Sequence, residues 1–107
     1  MSITRAQFAY ALMDALEIAP NANSVAAIVA WETGENTGAL NNPLATERVL
    51  NVGETDFNVQ GVKNYPSFEL GIKATVETLQ NGLYGPILFA LAQGAYYGTV
   101  NAIVASP

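Results

Sequence analysis

The stretch between residues 36 and 66 places the strongest limit on what this 107-residue chain can fold into. It is rich in Gly, Pro and Asn, which break helices and favour turns. The segments on either side carry apolar residues at spacings of three and four, which is typical of amphipathic helices. One long helix or a large sheet is therefore excluded. We predict a single, mainly α domain over 1–107 (α+β at most), with a long irregular loop or a short hairpin between helices 2 and 3.

About five helices are expected around this loop. Thr4 and Ser67 are placed to cap the first and third helices, and Asn23 or Ser24 to cap the second. Pro86 suits the first turn of the fourth. We expect the third to be the central core helix, because its apolar face is the most regular. The predicted bounds are 4–17, 24–34, 67–81, 86–93 and 96–104.

The segment "ERVLNVGETDFNVQGV", residues 47–62, predicts a short hairpin. In this interpretation "VGET" forms the turn, and Val49, Phe57 and Val59 pack inward. A loop of this length within a small domain is usually functional.

The charge of the chain limits its partners. The formal net charge is −5, and the four basic residues do not cluster in the sequence. A nucleic-acid surface needs many Lys and Arg contacts to phosphates, so we predict no nucleic-acid partner.

No apolar run approaches the roughly 20 residues of a spanning helix, so we predict no membrane insertion. Asp14 and Glu17 interrupt the first apolar segment, which is therefore not expected to be a signal peptide.

The chain contains no His and no Cys. This excludes disulfides, thiol nucleophiles and Ser-His pairs, and leaves carboxylates and hydroxyls as the groups for catalysis. A calcium site built from Glu47, Glu54 and Asp56 is conceivable, but their spacing matches no EF-hand loop. We predict no metal and no cofactor.

Two glutamates stand at the end of the second helix, in "AWETGENTGALNNPLATE", residues 30–47. Helical spacing places Glu35 on the face of Ile28, one turn beyond Trp31, and Glu32 on the same apolar stripe. A carboxyl group beside an apolar wall is disfavoured as an anion, which suits a general acid. Spacing alone does not choose between the two, and a solvated helix end is the simpler alternative.

Several motifs in order resemble a lysozyme-like domain of phage tail-associated proteins and lysins that act on actinobacteria and other Gram-positive hosts. The family pattern is an Ala-Trp helix with an acid four residues after the Trp, then Asn-Pro-Leu-x-Thr. Trp31, Glu35 and "NNPLAT" match it here. "GETDFN", "GVKNYPSFELGIKATVETLQNGLYGPIL" and "NAIVASP" match later elements, so the resemblance covers residues 6–107.

The resemblance implies a lysozyme-like fold that cleaves peptidoglycan glycan strands, with Glu35 as the catalytic acid. Glu32 is then expected to be solvated or paired with a nearby base. Two departures are Asn36, where many members have Gly, and the absence of the usual Trp-Gly after Pro107. The implied substrate-binding residues are Trp31, Asn42, Thr46, Asn58, Asn64, Tyr65 and Tyr84.

The resemblance leaves hydrolysis and the lytic transglycosylase reaction open, with Glu47, Glu54 or Asp56 as a second carboxylate if one is used. It also implies a location in the virion or at the host cell wall, with other phage particle subunits as further partners. The alternative is a non-catalytic virion or cell-wall-binding module, in which Tyr96, Tyr97 and the last helix form an interface. A small domain without any ligand is the third reading.

Overall fold

A computed structural model describes residues 3–106, which form five helices and one two-stranded antiparallel sheet. The predicted mainly α fold is confirmed. Met1, Ser2 and Pro107, which the predicted domain also covers, lie outside the described residues. The helices are α1 (Arg5–Ala15), α2 (Ala22–Glu35), α3 (Phe68–Leu79), α4 (Gly85–Ala92) and α5 (Tyr96–Val104), and the strands are β1 (Thr55–Asp56) and β2 (Lys63–Asn64).

The helix ends follow the capping chemistry of the sequence. Thr4 caps α1 in a reciprocal capping box with Gln7, and Ser67 caps α3, as predicted. The predicted cap of α2 is wrong, because the side chain of Asn21 accepts the backbone N–H of Ser24 and the helix starts two residues earlier. Ser24 instead donates its buried hydroxyl to the carbonyl of Leu91 in α4, at 2.8 Å.

The central helix is α2, and the prediction that α3 holds this position is wrong. α2 packs against α1, α4 and α5, whereas α3 packs mainly against α1. Alanines such as Ala27, which is fully buried, let neighbouring helices approach α2 closely. The core is built mainly from the apolar faces of the helices, and its largest fully enclosed apolar side chains are Phe8, Leu12, Met13, Ile28, Ile87 and Leu91.

The predicted hairpin forms only in part. β1 and β2 pair Thr55 with Asn64, so the connection runs over residues 57–62 and "VGET" is not its turn. The expected inward packing of Val49, Phe57 and Val59 is also wrong: these side chains are 56%, 43% and 104% exposed.

Side-chain hydrogen bonds give the physical reason for this departure. The carboxylate of Glu54 accepts the backbone N–H groups of Leu50, Asn51 and Val52, which folds residues 50–54 into a turn of its own. Hydrogen bonds from the backbone N–H of Val52 and, to a smaller extent, from those of Asn51 and Leu50 lower the pKa of Glu54 to about 2.

Gly71 marks the closest approach between the long loop and α3. A Cβ atom at this position would lie 1.8 Å from the carbonyl oxygen of Asn41, a distance that non-bonded carbon and oxygen atoms do not tolerate. The loop therefore lies directly against the backbone of α3, and only glycine permits that contact.

We expect Gly71→Ala to lower the free energy of unfolding by about 1–3 kcal/mol, because the loop must move away from α3. Denaturant unfolding of the purified variant measures this. Gly34→Ala is the matched control: no atom lies within 4 Å of its added Cβ, so helix propensity alone should leave it neutral or stabilised. Equal stability of the two variants would contradict the close contact.

No helix within residues 3–106 has the length and apolar character needed to cross a bilayer.

Candidate functional site

A continuous cleft runs across the molecule between α2, the long loop, α3 and α5. It consists of three adjoining cavities of about 270, 560 and 780 Å³. Ala45 and Glu47 line all three, so the cavities share one wall. We call this groove the cleft. A groove made of three adjoining cavities suits an extended ligand better than a small compact one.

Glu35 lies at the end of α2 and lines two of the three cavities. Its Oε1 accepts a hydrogen bond of 3.3 Å from the indole Nε1 of Trp31, one helical turn earlier. Asn36 ends the helix in the left-handed region, with φ of 45°, and turns the chain away. The expected apolar enclosure of Glu35 is wrong, since its side chain is exposed in the open cleft.

Glu47 provides the second carboxylate of the cleft. It lines the same two cavities as Glu35, and its Oε1 lies over Gly61, 3.3 Å from where a Cβ atom would be. The other two acids considered from the sequence are engaged elsewhere. Glu54 holds its own loop, and Asp56 forms an ion pair with Lys63.

Two aromatic side chains, Trp31 and Tyr84, line two of the three cavities, the one bounded by α5 and the one bounded by α3. Both are half-buried, so each keeps part of its ring accessible. Apolar residues of α5, Val100 and Ile103 among them, complete the wall on the other side. Aromatic faces beside polar groups are the surface that pyranose rings pack against.

The structure brings five of the eight residues predicted for the site to the cleft. Besides Trp31, Glu35 and Tyr84, Thr46 lines the cavity next to α3, and Asn58 lines the one beside the sheet. The other three, Asn42, Asn64 and Tyr65, do not line the cleft.

Asn42 and Tyr65 instead hold the cleft wall in place from behind. The amide of Asn42 is fully buried; it accepts from the backbone N–H of Thr46 and donates to the carbonyls of Thr46 and Lys63, all within 2.8–2.9 Å. The hydroxyl of Tyr65 donates to the carbonyl of Arg48. These two buried side chains position residues 46–48.

Asn64 has a comparable role in the sheet. Its Oδ1 accepts the backbone N–H of Leu40 at 2.8 Å, and its Nδ2 donates to the hydroxyl of Thr55.

Burial, with a smaller contribution from the charge of Glu54, raises the pKa of Tyr65 to about 12. Its hydroxyl therefore stays protonated and remains a donor at any physiological pH.

Sequence reasoning missed the α3 side of the cleft. Thr75, Thr78 and Asn81 line it together with Arg48, whose guanidinium is paired with Glu77 at 2.9 Å. The signal was present in the sequence, because Thr75 and Thr78 are polar residues one turn apart on α3. Thr78 contacts the hydroxyl of Thr46 across the cleft floor.

Glu32 differs most from its predicted environment. It was expected to be solvated or paired with a base, yet it is only 1% exposed, and neither carboxyl oxygen has a hydrogen-bond partner among the described residues. Burial, opposed only in part by the charge of Arg5, raises the pKa of Glu32 to about 8. Glu32 does not line the cleft but lines a neighbouring pocket.

Comparison of the chain with protein-family models, with curated proteins and with solved structures found no match. Within residues 3–106, no three acidic side chains come together in a group that would hold a metal ion.

Proposed function

We propose that this chain cleaves the glycan strands of peptidoglycan, with Glu35 as the general acid. The observation that carries the proposal is the pairing of Glu35 and Glu47 along one open cleft that two aromatic rings also line. Neither carboxylate takes part in the two ion pairs of the described residues. Both are therefore available to a substrate.

The proposed reaction begins with a glycan strand lying along the cleft, its sugar faces against Trp31 and Tyr84. The strand would exclude water from Glu35, and removal from water favours the neutral form of a carboxyl group. Glu35 then gives its proton to the glycosidic oxygen as the C–O bond breaks. The hydrogen bond that Glu35 accepts from the indole N–H of Trp31 fixes the orientation of the carboxyl group.

Glu47 is the proposed partner in the second half of the reaction. Its carboxylate takes a proton from water, and the resulting hydroxide oxygen bonds to the anomeric carbon. The other route needs one acid only: a hydroxyl group of the substrate attacks and leaves an anhydro end. Glu47 favours the hydrolytic route because it faces the cleft, while Glu54 and Asp56 are engaged in other contacts.

Glu47→Gln separates these two routes. We expect the rate of glycan cleavage to fall at least about 100-fold, because the amide cannot accept a proton from water. Mass spectrometry of fragments released from purified cell walls measures both rate and product. Glu69→Gln, an exposed acid on α3, is the control. Unchanged release of fragments that are lighter by one water would instead assign a one-acid transglycosylase reaction.

The whole proposal is tested by muropeptide release from purified cell walls by the wild type and by Glu35→Gln. Equal release from the two proteins would reject Glu35 as the acid.

The resemblance to phage tail-associated and lysin domains supports action at the host cell wall, from a virion or outside the cell. Other particle subunits are then further candidate partners.

A non-catalytic virion or cell-wall-binding module is the second candidate. Large apolar side chains are exposed along α4 and α5: Phe89, Tyr97 and Val104 are 68%, 77% and 81% accessible. The rings of Tyr96 and Tyr97 pack edge to face, with centroids 5.1 Å apart. Such a surface suits a protein contact. Sedimentation with cell walls that is equal for wild type and Glu35→Gln, without glycan release by either, would favour this function.

A further inference from the structure

A second pocket, of about 320 Å³, adjoins the cleft at the long loop. It is bounded by the start of α1, the end of α2, residues 37–43 and the start of α3. We call it the Glu32 pocket. Thr37 lines both this pocket and the cleft, whereas Glu32 lines the pocket and does not line the cleft.

The Glu32 pocket contains an unpartnered polar group. Glu32 is among its lining residues, is 1% exposed, and has no hydrogen-bond partner on either carboxyl oxygen within residues 3–106. Leaving a buried polar group unsatisfied costs about 1–3 kcal/mol. Each of these oxygens exposes less than 1 Å², so a ligand group must displace part of the pocket wall to reach them. A group that does so and supplies a missing partner would bind with a gain that the free protein does not have.

The surroundings of Glu32 select the chemistry of that ligand. Phe8 and Phe68, whose rings meet edge to face at 6.0 Å, form an apolar wall together with Leu40 and Pro43. Arg5 is the other titratable residue among those lining the pocket, and its guanidinium donates to Thr33. A cationic ligand would meet the positive charge of Arg5 and would lose its hydration against the aromatic wall.

A neutral amide avoids both costs. A protonated carboxyl group donates its O–H to the carbonyl oxygen of an amide. The N–H of a trans secondary amide points the other way, so the pairing with Glu32 is this one hydrogen bond. The methyl or methylene group beside the amide would then contact Phe8 and Phe68. We propose that the Glu32 pocket binds a neutral secondary amide, either the acetamido group of an N-acetylated sugar or a peptide amide, through Glu32.

The ionisation of Glu32 is consistent with this pairing. Burial raises the pKa of Glu32 to about 8, so at neutral pH the side chain holds the proton that the amide carbonyl would accept. Ionisation removes that donor. Amide binding is therefore expected to weaken as the pH rises through 8.

The test follows the backbone amide NMR signals of Ala39 and Leu40, which line the Glu32 pocket. The probes are N-acetylglucosamine, N-acetyl-alanine N-methylamide and, as the cationic arm, methylammonium, each at pH 6 and pH 9.5. We expect an amide probe to shift these signals at pH 6, with affinity at least about tenfold lower at pH 9.5. A response to the sugar alone or to the peptide alone identifies the source of the amide.

Two variants of Glu32 test whether its side chain binds the amide. Glu32→Gln keeps a donor and an acceptor and should bind the amide with no pH dependence, whereas Glu32→Leu should not bind it. Glu35→Gln should bind it as the wild type does, which separates this inference from the cleft chemistry. Two results would overturn the proposal: no shift of the Ala39 and Leu40 signals with either amide, or a stronger response to methylammonium than to either amide. If a variant fails to fold, the titration of the wild type alone decides the question.

Discussion

Glu35→Gln is expected to lower glycan release from purified cell walls by about 10²–10⁴-fold, the usual contribution of a general acid. The amide has nearly the same shape as the carboxyl group, and it can still meet the Trp31 indole, so folding and substrate binding should change little. The loss should therefore appear in kcat more than in KM. Rates of reducing-end or muropeptide release measure it.

Asp14→Asn is the matched control for this experiment. Asp14 is exposed on α1, lines none of the cavities of the cleft, and loses the same negative charge on substitution. A comparable loss of activity in Asp14→Asn would point to net charge rather than proton donation. A Glu35→Gln protein as active as the wild type would remove Glu35 from the mechanism.

Raising the pH from about 5 to 9 is expected to destabilise the protein through Glu32. The folded pKa of about 8 lies above the value of 4.5 for an unburied glutamate. Between these two values the folded protein holds a proton that the unfolded chain releases, so stability falls as the pH rises through this window. A shift of this size corresponds to about 3–5 kcal/mol, reached once the pH exceeds 8.

Denaturant unfolding at several pH values measures this dependence. Glu32→Gln removes the titrating group, so its free energy of unfolding should be much less sensitive to pH over the same window. Glu35→Gln is the control: it lies one turn further along α2 in the open cleft, and it should keep the dependence of the wild type. A wild type equally stable at pH 5 and pH 9 would show that Glu32 is not protonated by burial.

The sequence predicted most of the fold because helix formation here depends on local signals. Ser67, Pro86 and the apolar spacing of α3 act within a few residues, and the corresponding helices begin within one residue of their predicted starts. The centre of the fold was not predictable in this way. The position of α2 depends on close packing at small residues such as Ala27, and the apolar pattern of a single helix does not report it.

The cleft was predicted in part, for a similar reason. Trp31 and Glu35 follow from helical spacing, but the orientation of loop side chains depends on long-range hydrogen bonds. Asn42 and Tyr65 support the wall of the cleft and do not line it, because they bind backbone carbonyls 21 and 17 residues away. Glu32 stands four residues after Ile28 on the apolar stripe, which agrees with its burial, but the prediction that it is solvated or paired with a base is wrong.

The buried amide of Asn42 has a consequence for how the protein ages. Asparagine deamidates mainly when the backbone nitrogen of the next residue attacks the side-chain amide. Asn42 is followed by Pro43, which has no N–H, so this route is closed at the residue that holds the cleft wall. The exposed Asn81 is followed by Gly82 and keeps the route open. Deamidation should therefore occur at Asn81, which lines the cleft, long before it occurs at Asn42.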